Sequence, residues 1–139
     1  MEKINRSHVE LSFKFSQVRG EYMTVRIVDA VGEITAVPNQ LDQCTVSTVI
    51  DFPGHLVIYL DGKNNNTDTL VNEAGEITQD KFVQLTQVKV DRMIVPNNFL
   101  QKWPLVNDSF TTTHFGFNGT VKLQFNEPNS FYWLMKNKN

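Results

Sequence analysis

The chain of 139 residues has little of what several protein classes require. It has one cysteine, Cys44, so an internal disulfide framework is excluded. Lys and Arg number 13 against 15 Asp and Glu, a net charge of −2. That balance lacks the basic excess that holds nucleic acid by counterion release, so no nucleic-acid partner is expected. No apolar run approaches the roughly 20 residues needed to cross a bilayer, so no membrane insertion is expected either. Met1-Glu2-Lys3-Ile4-Asn5-Arg6 lacks the apolar stretch of a signal peptide, and synthesis in a cytoplasm is expected. Alanine, the best helix former, occurs only at Ala30, Ala36 and Ala74.

Catalytic signatures are missing as well. There is no Gly-x-Ser-x-Gly elbow and no phosphate-binding glycine loop. His8, His55 and His114 are scattered and lack metal-ligand spacing. The expectation is a protein that is not an enzyme.

Valine, threonine and phenylalanine are abundant instead, and these side chains pack well on a pleated surface. Val9, Leu11, Phe13 and Phe15 alternate with His8, Glu10, Ser12 and Lys14, the period of a half-buried strand. Val25 and Ile27 begin a second strand, Asp29-Ala30-Val31-Gly32 reads as a turn, and Glu33 to Val37 as its return. Cys44 to Asp51 is a further strand, stopped by Pro53-Gly54. Leu56 to Leu60 is apolar at both parities, which predicts a central strand covered on both faces. Asn72-Glu73-Ala74-Gly75 repeats the Asx-opened turn of Asp29. Phe82 to Val95 reads as one long extended segment whose parity change predicts a bulge near Thr86-Gln87. Asn98 to Trp103 allows one helical turn, closed by Pro104. Phe110 to Phe117, Val121 to Phe125 and Phe131 to Met135 complete the strands. Nine to eleven short strands without a linker predict one all-β domain over residues 1–139, an antiparallel β-sandwich or jelly roll.

Three groups of residues are candidate contact or ligand groups. The loop Asp61 to Asp68 offers two carboxylates and the amides of Asn64, Asn65 and Asn66. Calcium takes oxygen ligands of this kind, so Asp61 and Asp68 are candidate calcium ligands, although a solvated turn has the same composition. Asn118-Gly119 is a two-residue hairpin signal. In that register Phe115 and Phe117 lie beside Thr120, Lys122 and Gln124, off the face carrying Val121, Leu123 and Phe125. Phe115 and Phe117 are then covered by the chain itself, buried against a neighbouring subunit, or stacked on sugar rings. Tyr132 and Trp133 lie in the apolar run Phe131 to Met135, either a covered last strand or an assembly anchor.

Leu60-Asp61-Gly62, Val90-Asp91, Phe117-Asn118-Gly119-Thr120 and Tyr132-Trp133-Leu134 together resemble the small β-sandwich accessory modules of tailed phages. They are also similar in flavour to carbohydrate-binding modules. The resemblance covers the C-terminal two-thirds and consists of turn and core residues. It implies a non-enzymatic capsid decoration protein, or a tail or fibre component, often a homo-oligomer. Its implied partners are other virion proteins or copies of itself, and its implied location is the virion. The alternative implied is a stand-alone module for surface glycans, with or without calcium.

Overall fold

A computed structural model describes residues 5–52, 54–64 and 67–125 of the chain. Among them are thirteen strands and one helical turn, somewhat more strands than expected, because several are only two residues long. The fold is an all-β sandwich. One sheet is built on β1 (Asn5–Ser16), flanked by β4 (Gln43–Phe52) and β8 (Phe82–Val90). β12 (His114–Phe115) lies outside β8, and β9 (Met93–Ile94) pairs with β8 as well. The second sheet centres on β5 (Gly54–Asp61). To one side lie β2 (Thr24–Val28) and β3 (Glu33–Ala36). To the other lie β13 (Gly119–Phe125), β10 (Leu105–Val106) and β11 (Phe110–Thr111). The strand pairs are antiparallel. Between the sheets lies one continuous core, to which β1 contributes Val9, Leu11, Phe13 and Phe15, and β5 contributes Leu56, Ile58 and Leu60.

The bulge lies where the parity changes. Register passes from Ser12 opposite Gln87 to Phe13 opposite Leu85, which leaves Thr86 without a cross-strand partner. Its hydroxyl donates to the Ser12 carbonyl at 3.1 Å. The extra residue lets Val83, Leu85, Val88 and Val90 all face the core. Both Asx turns also form. Asp29 Oδ1 accepts from the amides of Val31 and Gly32, and Asn72 Oδ1 from those of Ala74 and Glu76. The helical turn is α1 (Asn97–Leu100).

Three expectations fail locally. The segment from Phe82 is not extended through Val95. It reverses at Asp91-Arg92, both at positive φ, and β9 folds back on β8. An Asp-Arg pair carries no glycine, so the turn is silent in the sequence. β5 is central, but it is covered on one face only; Val57 and Tyr59 are half-buried, and Arg26 stacks over the Tyr59 ring at 5.1 Å. Phe110 to Phe117 is not one strand. β11 belongs to one sheet and β12 to the other, so the chain changes sheets between them.

That change of sheet removes the Asn118-Gly119 hairpin. β13 pairs with β5 and β10, and β12 pairs with β8. Gly119 is needed for a different reason: a Cβ there would lie 2.5 Å from Asn107 Oδ1. Phe115 therefore does not share an outer face with Lys122. It is 0% exposed and belongs to the core, and Phe117 is half-buried against it. The expected strand Phe131 to Met135, with Tyr132 and Trp133, lies outside the described residues, as does Pro53.

Phe115→Ala is expected to cost about 3–5 kcal/mol in urea denaturation, the range for truncating a buried aromatic. Phe110→Ala, at a residue 47% exposed, is expected to cost under about 1 kcal/mol.

Candidate functional site

At one end of the sandwich a two-stranded ribbon pairs with neither sheet. It consists of β6 (Thr69–Val71) and β7 (Ile77–Asp80), joined by the Asn72 turn. Its foot is held by charged side chains. Lys63 and Lys81 are buried there, and so is Asp68.

Each cation has a carboxylate and a backbone carbonyl as acceptors. Lys63 Nζ lies 2.7 Å from Asp80 Oδ1 and donates to the Gly116 carbonyl at 2.8 Å. Thr69 Oγ1 donates to the same carboxylate oxygen at 2.7 Å, and Ser16 Oγ to the Asp80 carbonyl at 2.7 Å. Lys81 Nζ meets Asp68 Oδ2 at 3.0 Å and donates to the Gly62 carbonyl at 3.0 Å; Glu21 is 3.8 Å away. Arg19 donates to Asp68 Oδ1 and to the Thr67 carbonyl, both at 2.6 Å. The Asn64 amide donates to Asp68 Oδ2 at 2.7 Å. Taking charges out of water is costly, and paired, hydrogen-bonded partners offset that cost. Among the described residues no buried side-chain nitrogen or oxygen lacks a partner.

Asn118 extends the clamp to the second sheet. Its Oδ1 accepts from the Lys63 amide at 3.0 Å, and its Nδ2 donates to the Lys63 carbonyl at 2.8 Å. Gly116 must be small beside this contact, since a Cβ would sit 3.3 Å from Lys63 Nζ. Lys63 thus joins the ribbon foot, the crossing between sheets and its own loop.

These contacts shift two carboxyls. Asp68 is held below the usual carboxylate range by the Asn64 amide first, then by Lys81 and Arg19, against the opposing effect of burial. For Asp80, burial works to raise the value. The bonds from Lys63 and Thr69 and the charges of Lys63 and His114 outweigh it, and the net shift is downward.

The structure places the candidate residues of the loop differently from one another. Arg19 meets one carboxylate oxygen of Asp68, and Lys81 and the Asn64 amide meet the other. Asp61 is exposed at the end of β5, opposite Thr24. Among the described residues no group of three His, Cys, Asp or Glu is placed to hold a metal ion. Asn64 is in the clamp through its backbone, and Asn65 and Asn66 lie outside the described residues. The structure does bring the loop and Phe117 together, through Lys63 and Asn118. Phe117 leads outward from Phe115 to Phe110, with ring centroids 6.2 Å and 5.8 Å apart. Phe110 is one of the exposed apolar residues of the chain, as are Val71 and Ile77, opposite each other on the ribbon.

Sequence reasoning missed Arg19, Lys63 and Lys81. One signal existed: Lys81 shares parity with Val83 and Leu85, which marks an inward-facing lysine. Lys63 carries no such mark, because its loop has no period. Away from the clamp, a shallow polar concavity over the first sheet is lined by His8, Glu10, Ser47, Lys89, Asp91 and Arg92. Comparison with protein-family models, curated proteins and solved structures finds no match to the chain.

Both shifted carboxyls bind protons more weakly folded than unfolded. Their contribution is therefore full above the ordinary carboxylate value of about 4 and is lost as pH falls through the lower folded values. Urea unfolding from neutrality into acid should show stability falling steeply below about pH 4. Asp80→Asn should lower stability at neutral pH by about 2 kcal/mol and flatten that acid limb.

Proposed function

We propose that the chain is a non-enzymatic structural or adhesion module that works by surface contact. It is a capsid decoration, tail or fibre component of the kind its sequence resembles. Its partners are other virion proteins or copies of itself. One observation carries this reading: a buried ion clamp holds in place a ribbon that adds almost nothing to the core. The nine residues between Leu70 and Asp80, 71–79, are all exposed. Val71 is 59% and Ile77 64% exposed at the outer part of that ribbon. An element held at such cost and left uncovered is placed to be touched. The titratable groups of the clamp neutralise one another, which suits holding rather than proton transfer.

The test is sedimentation of the full chain across a wide concentration range, alone and with the particle proteins it is made with. Association in either setting is expected, and Ile77→Glu should weaken it. A chain that stays monomeric and binds no particle protein would sink the reading.

A second reading rests on the aromatic step. Phe110 and Phe117 present ring surface beside the turn amides of Asn107 and Asn118, an arrangement that suits an apolar sugar face flanked by hydroxyls. This reading assigns calcium no part. On a glycan array, binding that persists in chelator and is lost in Phe110→Ala supports this reading. Binding that requires calcium overturns this form of it.

A further inference from the structure

β1 runs along one edge of β8, and two short strands divide the other. β12 pairs with Val83 and Gln84, and β9 with Lys89 and Val90. Neither reaches the bulge at Thr86. The Leu85 amide donates to the Thr113 carbonyl on one side of the gap, and the Val95 amide to the Val88 carbonyl on the other, both at 2.9 Å. α1 packs beside β8 and sends Leu100 into the core. A concavity of about 220 Å³ remains between β8, α1 and Thr113. Its polar lining is Gln84, Thr86, Asn97, Gln101 and Thr113.

A second concavity, of about 290 Å³, lies over β1 and β4 and shares Thr86 with the first. Its polar side chains include Ser12, Lys14, Gln43 and Thr45. Together the two form a furrow across the outer face of the first sheet. Register orders that face in rows. Gln43, Lys14, Gln84 and His114 make one row, and Thr45, Ser12 and Gln87 the next. From β4 to β8 such a row runs roughly 10 Å, so the furrow suits a chain of small rings better than a single one.

The lining is nearly free of charge. Lys14 is its one ionised group, and no carboxylate belongs to it. One row further along the same face Glu10 stands opposite Lys89, the kind of charged pair that a solvated face ordinarily carries. Among the described residues, the side chains of Gln43, Gln84, Asn97, Gln101 and Thr113 have no hydrogen-bond partner. Amides and hydroxyls each donate and accept, and so do the hydroxyls of a sugar. A hard cation would need carboxylates here, and a strongly charged anion more than one lysine. Ring surface stands at the β8 end. Phe82 and His114 flank Gln84, with ring centroids 4.4 Å apart. Such a pair can cover the apolar face of a sugar ring while the amides take its hydroxyls.

We propose that this furrow binds a neutral oligosaccharide. Gln84, Asn97 and Gln101 bond the hydroxyls of one unit, and the Phe82–His114 pair stacks on a neighbouring one. The site is separate from the ribbon and from the step of Phe110 and Phe117.

The test puts the full chain on an array of neutral and acidic oligosaccharides, followed by calorimetric titration with the tightest neutral binder. Gln84→Ala with Gln101→Ala should weaken that binding about tenfold, the loss expected for hydrogen bonds to two amides. Phe110→Ala should leave it unchanged. Gln101 is exposed, so Gln101→Ala alone keeps the fold and decides the matter by a several-fold loss if the double variant misfolds. Weakening by the glutamine variants with Phe110→Ala silent supports the furrow. Binding that Phe110→Ala abolishes and the glutamine variants leave intact overturns it, and makes the aromatic step the sugar site. Binding confined to acidic oligosaccharides, or none to neutral ones, also overturns it. The contact reading is decided separately by sedimentation.

Discussion

The loop end of this protein depends on two buried lysines. Lys63 and Lys81 replace the apolar residues that would ordinarily seal a sandwich at its rim. Because a buried ion requires charged and polar partners, each lysine constrains the position of the groups around it. Asp80, Gly116, Asp68 and Gly62 are held where the two ammonium groups need them. A hydrophobic plug would tolerate sliding; a set of fixed donors and acceptors does not. The clamp thus gives the ribbon one orientation, and it does so without adding to the core.

How much of this was legible follows from which residues carry periodic information. β1 alternates over eight residues, and its structure is that alternation. The bulge at Thr86 was legible because two apolar parities met there. The Asx turns at Asp29 and Asn72 were legible because a single side chain makes both bonds. The crossing at Phe110 to Phe117 was not. Apolar alternation records which side of a sheet is buried, but not which sheet, so a chain that changes sheets keeps its pattern while its neighbours change. Asn118-Gly119 misled for a related reason. The pair suits a tight hairpin, but here Asn118 bridges to Lys63 and Gly119 makes room for Asn107. The composition is the same and the constraint differs. Of the candidate site, the loop after Asp61 and the half-buried Phe117 were legible. Their connection through Lys63 was not, since it joins residues far apart in sequence.

The functional reading follows from where stabilising groups are used. Among the described residues, the sandwich core includes none from the ribbon. The buried ions are an expensive means of stabilisation and a good means of specification. That combination suits a molecule whose surface must be presented in one geometry to a neighbour. It also explains why the aromatic step from Phe115 to Phe110 ends at the same part of the molecule: Gly116, between the core ring and the outer rings, is one of the groups Lys63 holds.

The clamp also orders events in time. Lys63 meets Asn118 across 55 residues of chain, and Arg19 meets Asp68 across 49. The ribbon itself is local and closes quickly, whereas contacts of such long range wait until both sheets have brought their ends together. A nascent or half-folded chain therefore carries the ribbon loose, with its edge and its charges out of register. Only the finished fold holds it still, so a fixed ribbon marks that folding is complete.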